Sequence, residues 1–285
     1  MEQNKRFKRL KEIWQRLSKN KLAILGLIII IAMIFIAIFA DVIAPYGFDE
    51  QDLSIAFQKP GNGHLFGTDE FGRDIFSRVV FGTRISLLIG FVAVAIAVVI
   101  GVLLGAISGY YGDKVDNVIM RLMDILLSIP QILLAIAIVA ALGNGLFNLM
   151  LAVGLSSIPH YARIIRASVL SIKDQEFIEA AKAAGSSDAR IIFKHIIPNC
   201  LAPIIVQATL GVALAILTAA GLSFIGLGIA PPTPEWGSML SSGRSYIRDY
   251  AYMTMFPGLA IVVTIFALNV LGDGLRDALD PKLKK

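Results

Sequence analysis

Cysteine occurs once in these 285 residues, at Cys200. A lone thiol excludes an internal disulfide framework and a thiolate metal site. Histidine is nearly as scarce: His64, His160 and His195 fall in separate segments, so neither a metal site nor a histidine-dependent triad is suggested. Charge is thin as well, with 16% of residues Asp, Glu, Lys or Arg. No Gly-Lys-Ser/Thr closes any glycine-rich run, so the chain lacks the loop that cradles nucleotide phosphates. What remains is apolar. Hydrophobic residues make up 56% of the chain, and mean hydropathy is +0.73. No ordinary soluble domain combines those values, and the fold class expected is an all-α polytopic membrane protein. The net charge of +5 does not point to nucleic acid, because the basic residues sit beside apolar runs as topology signals. Cys200 lies between Pro198 and Pro203, where a span begins, and reads as inert.

Charge-free stretches set the span count. Leu22 to Ala40 is one, the run between Arg84 and Asp113 a second, and the run between Asp249 and Asp273 the last. The run between Asp124 and Arg163 exceeds one crossing of about 30 Å, and Gly143 to Asn148 supplies a turn that divides it into two. The run from Asn199 to Pro234 holds another, ending before Ala230-Pro231-Pro232-Thr233-Pro234. Six spans result, with both termini on one side. The implied organisation is an N-terminal interfacial segment at 1–21, a first span at 22–40, an outer loop at 41–84 and a five-helix core at 85–279. Within that core lie an insert at 173–199 and an outer loop at 229–250, and a tail follows at 280–285.

Orientation follows from lysine and arginine. Lys5, Arg6, Lys8, Arg9, Lys11, Arg16, Lys19 and Lys21 precede the first span, whereas Asp49, Glu50, Asp52, Asp69, Glu70 and Asp74 dominate the loop after it. The N-terminus is therefore expected in the cytoplasm, together with the 109–121 turn, the insert and the Lys282-Lys284-Lys285 tail. The long basic segment, the span-length apolar run and the lack of an A-x-A site before Asp41 do not describe a cleavable signal peptide. Phe7, Leu10, Trp14 and Leu17 share one helical face that suits the cytoplasmic interface of a bilayer.

The insert is the most informative stretch. Glu179 to Asn199 reads EAAKAAGSSDARIIFKHIIPN, a polar, helix-prone segment between two apolar ones. Good helix formers run from Asp174 to Ala184, and Gly185 sits where a left-handed C-terminal cap ends a helix. Ser186 or Ser187 then caps a second helix with Asp188 in its first turn and Ile191, Ile192, His195 and Ile196 on one side; Pro198 ends it or starts the next span. An ordinary amphipathic connector has the same letters, but its place between spans favours a docking surface. Glu179, Ala180, Ala181, Gly185 and Ile197-Pro198 at this spacing resemble the EAA loop of ATP-binding-cassette importer permeases.

Further segments resemble the dipeptide/oligopeptide and nickel branch of that family, in particular the second of its two membrane subunits. These are Gly63 through Asp74 (GHLFGTDEFGRD), Arg121-Leu122-Met123-Asp124 through Ser128 and Pro130, Glu235-Trp236-Gly237-Ser238-Met239-Leu240, and Phe256-Pro257-Gly258 followed by Leu271 to Asp277. The resemblance covers almost the whole chain. It implies the six-helix type I importer permease fold in a prokaryotic cell membrane, and a pore half that works by alternating access. It also implies a homologous second permease subunit, two ATPases that carry the ATP and Mg, and an extracytoplasmic binding protein that delivers peptide. No cofactor and no catalytic residue would belong to this chain. Glu179, Ala180, Ala181, Gly185, Ile197 and Pro198 would form the ATPase-coupling surface, with Glu179 offering charge and Gly185 permitting the turn.

Other segments admit two readings each. The glycines of 63–74 form turns leading into an amphipathic helix around Ile75, Phe76, Val79 and Val80, and Asp69, Glu70 and Arg73 are candidate binding-protein contacts. Glu235 and Trp236 start a short outer helix, with Trp236 either an interfacial anchor or a binding-protein contact. Arg121 and Asp124, three apart, are candidates for an intramembrane ion pair, structural or functional. Gly221 to Gly226 misses a G-x-S-x-G elbow by one residue and reads as small residues for helix contact. A nickel or other small-solute importer is the alternative substrate reading; an intramembrane hydrolase or a channel is the remote one.

Overall fold

A computed structural model describes residues 11–61 and 63–279. The long apolar runs become helices that start at polar caps. The Asn20 side chain accepts the Ala23 amide and opens α1, Lys21–Ile38. Asp74 accepts the Ser77 amide and opens α2, Ile75–Tyr111, a 37-residue helix that absorbs the amphipathic segment expected separately at 75–80. Gly112, at φ +66°, breaks it. There follow α3 (Asp113–Leu127), α4 (Gln131–Leu142), α5 (Leu146–Leu170), α6 (Glu176–Ala183), α7 (Leu201–Phe224), α8 (Trp236–Gly243) and α9 (Tyr252–Leu279). Among the described residues the extended pairings are isolated bridges, Gly61 with His64 and Thr68 with Asp74.

α2 is the central element. It lies along α5 through Gly101, Gly105 and Gly109, spaced one helical turn apart. A Cβ at Gly101 would stand 2.6 Å from Tyr161 Cβ, and one at Gly109 2.8 Å from Val169 Cβ. Glycine at this spacing lets two backbones approach where lipid supplies no hydrophobic drive for helix association. On another face Gly90 accommodates Ile216 of α7. α9 joins α7 to α1, where Gly26 lies against the backbone of Ala267 and Leu271.

By length and composition α1, α2, α7 and α9 are each able to cross a membrane, and α3 with α4, bent by 88° at their break, passes the same test as a pair. α5 has the length of a span, about 37 Å, but Ser156, Ser157, His160, Arg163 and Arg166 dilute its apolar character. Two expectations change here. The turn at 109–121 is Gly112 alone, followed by the amphipathic α3. The third span is not straight, because Pro130 interrupts the run and leaves α4 only 12 residues long. The interfacial face at the N-terminus also divides. Trp14 is exposed, but Leu17 is buried against Ala23 and Ala278, so it packs on protein instead of facing lipid. Phe7 and Leu10, like the Lys282-Lys284-Lys285 tail, lie outside the described residues.

Candidate functional site

The insert folds as its letters dictate. α6 ends in a complete left-handed cap: Gly185 has φ +73°, its amide donates to Lys182 O at 2.9 Å, and the Ser186 amide donates to Ala181 O at 3.1 Å. Ser187, one of the two caps anticipated, accepts the Arg190 amide and starts the second helix with Asp188 in its first turn. That helix widens to a π-helical stretch over Ile191–Ile196 before Ile197–Asn199. Pro198 accounts for the widening, since it has no N–H to give and its ring displaces the carbonyl of the preceding turn.

One side of the insert is anchored and the other is open. Ile178, Ile191 and Ile196 are fully buried against Val102 and Ala106 of α2 and Ile165 and Val169 of α5. Ala181 and Ile197 pack partly on the same cluster. Glu179, Ala180, Gly185 and Pro198 face outward, joined by exposed Phe177 and Phe193. Of the six residues assigned to the coupling surface, four are therefore presented and two are half-buried at its base. His195 is half-buried there, and Cys200 is buried beneath.

The contacts that tie the insert to the spans were not read from sequence. The Tyr110 hydroxyl donates to Asp188 Oδ1 at 2.8 Å, and the Lys182 ammonium lies 5.5 Å from the centre of the Tyr110 ring. Close by, Arg166 of α5 grips Asp116 of α3 through both nitrogens at 2.6 and 2.5 Å, and Ser108 also donates to Asp116. Such pairs join residues up to 78 apart in the chain, and no local spacing announces them.

Arg121 and Asp124 do not pair. Asp124 accepts from Arg163 of α5 at 2.5 Å, and Arg121 is exposed on α3. Spacing of three permits a contact along one helix, but the guanidinium on the facing helix wins.

The outer segments also depart from expectation. Asp69, Arg73, Glu235 and Trp236 are buried, so four of the five candidate binding-protein contacts are not surface groups. Asp69 accepts the amides of Phe71 and Arg73 and takes Arg73 Nε at 2.7 Å, with Arg78 Nε at 3.6 Å. Arg78 also donates to the carbonyls of Phe48 and Pro232, which clamps the two outer segments together. Glu235 caps α8 by accepting the amides of Gly237 and Ser238; burial raises its carboxyl, and those amides counter part of the rise. Trp236 donates its indole N–H to Val79 O at 3.1 Å, with its ring beside Gly82, and so is a core residue, not an interfacial anchor. Glu70 is half-buried, with its carboxyl raised mainly by desolvation. His64 meets Asp74 at 2.9 Å and His160 meets Gln207 at 3.1 Å, and among the described residues no three metal-ligating side chains gather. The Gly221–Gly226 segment is the capped end of α7, where Gly226 has φ +88°.

Known proteins agree with this architecture. The family described as binding-protein-dependent transport system inner membrane component matches residues 101–285, and the N-terminal TM domain of oligopeptide transport permease C matches residues 8–60. The chain is 52% identical over 274 residues to the dipeptide transport system permease protein DppC of Alkalihalophilus pseudofirmus, covering 96% of this chain and 90% of that one. It is 47% identical over 277 residues to the glutathione transport system permease protein GsiD of Escherichia coli, covering 96% and 90% respectively. In the solved inward-facing MetNI methionine ABC transporter, one chain superposes with a TM-score of 0.59 at 21% identity, covering 71% of this chain and 96% of that one. That likeness shows the fold, a type I importer permease. The chain belongs to the binding-protein-dependent transport inner-membrane components, the permease subunits of ABC importers, and to their oligopeptide permease C branch.

Proposed function

We propose that this permease carries peptides across the cytoplasmic membrane, paired with a second, homologous permease, energised by two ATPases docked on the insert and supplied by an extracytoplasmic binding protein. The observation that carries the reading is the two-sided insert. Its buried isoleucines fasten it to α2 and α5, while Glu179, Ala180 and Gly185 are exposed on its outer side, with no side-chain partner among the described residues. Closure of the ATPases around ATP would press on α6 and the helical stretch after it. The Tyr110–Asp188 contact and the isoleucine cluster would pass that load to α2 and α5, which rock as a unit because their backbones touch at Gly101 to Gly109. ATP and Mg belong on the ATPases, so this chain would neither bind nor hydrolyse nucleotide. A dipeptide is the first substrate to test, given the 52% identical dipeptide permease; glutathione, itself a tripeptide, comes second through its 47% identical relative.

The insert and both termini lie in the cytoplasm in this reading. In a Cys200→Ser background, Asp52→Cys should react with an impermeant thiol reagent in intact cells and Lys182→Cys should not; the reverse pattern would invert the topology. Function is tested by reconstituting the chain with its second permease, ATPases and binding protein in vesicles. ATP-dependent accumulation of dialanine is expected. ATP turnover by the isolated chain, or no accumulation of any peptide by the complete complex, would overturn the assignment.

A further inference from the structure

The surface of the spans is apolar nearly everywhere it is exposed. Ile28 and Ile31 on α1, Phe91 and Val99 on α2 and Val262 and Phe266 on α9 are examples. A pocket of about 350 Å³ between α1, α2, α7 and α9 is lined by aliphatic and aromatic side chains with Thr209 alone as a polar member. Against that background, α5 meets each of its neighbours on the open side through polar groups. Ser157 accepts from Gln131 of α4 at 2.9 Å. One turn on, His160 Nε2 meets Gln207 Nε2 of α7 at 3.1 Å. Three residues further, Arg163 pairs with Asp124 of α3 at 2.5 Å. Gln131, His160, Arg163 and Asp124 are all exposed, and both members of the ion pair are about half open.

The depth of these groups makes their exposure unusual. Ser157 and Gln131 each lie eleven residues from the outer end of their helix, about 16 Å in, which is near the bilayer midplane. Amide and imidazole groups that deep are costly against lipid, and the Asp124–Arg163 pair extends the strip toward the inner side, about 26 Å from the outer end of α5; such residues face a protein partner or a water-filled path. Gln207 also borders an opening of about 430 Å³ between α5, α7 and α9, lined mainly by Ile164, Val206, Leu210 and Leu279, with Gln207 and Arg276 as its polar members. That is room enough for a small peptide.

We propose that Gln131, Ser157, His160 and Gln207, together with the Asp124–Arg163 pair, line a water-filled path and contact the peptide as it crosses. The inference rests on the peptide-importer reading and names that reading's contact residues in this subunit. The chemistry fits a zwitterionic peptide. Gln131, Gln207 and His160 offer neutral donors and acceptors to an amide backbone, and the ion pair can exchange partners with a carboxylate and an ammonium without leaving either charge alone. Uncharged contacts higher in the path would also bind weakly enough to let the peptide go.

The test uses the full complex in vesicles, with His160→Cys in a Cys200→Ser background. A water-soluble charged thiol reagent should label this cysteine, and saturating dialanine with its binding protein should slow the labelling. Labelling by a membrane-soluble maleimide only would place the strip against lipid, and no labelling by either reagent would place it in a dry contact with the second permease; each overturns the proposal. Gln207→Leu, which keeps helix-forming shape, should lower dialanine uptake about tenfold at low peptide concentration with normal membrane abundance and ATPase association. Unchanged uptake by that variant also overturns it. If the parent complex accumulates no peptide at all, the importer reading fails; if it does and His160→Cys stays unlabelled, only this inference fails.

Discussion

The insert at 173–199 and the outer segments at 41–84 and 229–250 carry motif residues of the same kinds, yet the chain uses them in opposite ways. On the insert the polar letters are outside and the isoleucines inside. On the outer side Asp69, Arg73, Arg78 and Glu235 are inside, locked to amides, carbonyls and each other. A charged motif is therefore a docking candidate only where the fold leaves it without internal partners. Where several charges close on one another, the motif is a clamp, because a buried charge persists only when paired and hydrogen-bonded.

The largest effect on stability should come from opening the clamp. Asp69→Ala removes the carboxylate shared by Arg73 and Arg78, leaving Arg73 only Glu70 at 3.7 Å and Arg78 only the Phe48 and Pro232 carbonyls; this should cost about 3 kcal/mol, seen as low membrane abundance and a depressed Tm of the solubilised complex. Normal abundance would mean that the cluster is not structural and the contrast between the two regions is false.

Next comes the backbone of the insert. A side chain at Gly185 meets nothing within 4 Å, so Gly185→Val acts through its φ of +73° alone, at about 1–2 kcal/mol. Abundance should be near normal and uptake sharply lower, with weaker ATPase co-purification. Full uptake would remove the insert from the coupling route.

Glu179→Gln sharpens the comparison from the other side. The carboxylate is exposed, so stability should change by less than about 0.5 kcal/mol, whereas uptake normalised to abundance should fall. Equal uptake would show that Glu179 carries no docking charge.

The smallest effect concerns Glu70, whose carboxyl is raised mainly by desolvation. Its folded-state value exceeds its unfolded one, so folded protein takes the proton more readily and stability rises as pH falls from neutral through the raised value. The nearby Arg73 and Arg78 guanidinia oppose the desolvation, so the effect is small. Glu70→Gln should be slightly more stable than the parent at neutral pH, and the Tm difference should shrink on acidification; a constant difference would refute the titration.

Much of this molecule was legible in one dimension. Charge-free runs located α1, α2, α7 and α9, because a membrane-spanning helix must satisfy its own backbone and present apolar side chains along its length. The insert was readable for the same local reason: the Gly185 amide donates to Lys182 O and the Ser187 side chain accepts the Arg190 amide, each only three residues away. Tertiary structure alone decided which charges pair and which are exposed. Arg163 and not Arg121 takes Asp124, Arg78 closes on Asp69 and Pro232, and Tyr110 reaches Asp188 across 78 positions. The contacts that join separate helices, Arg163 to Asp124 and Tyr110 to Asp188, depend on distant parts of the chain packing side by side. Burial likewise turned Trp236 and Glu235 from surface candidates into core groups, since a residue's neighbours, not its type, set whether it meets water.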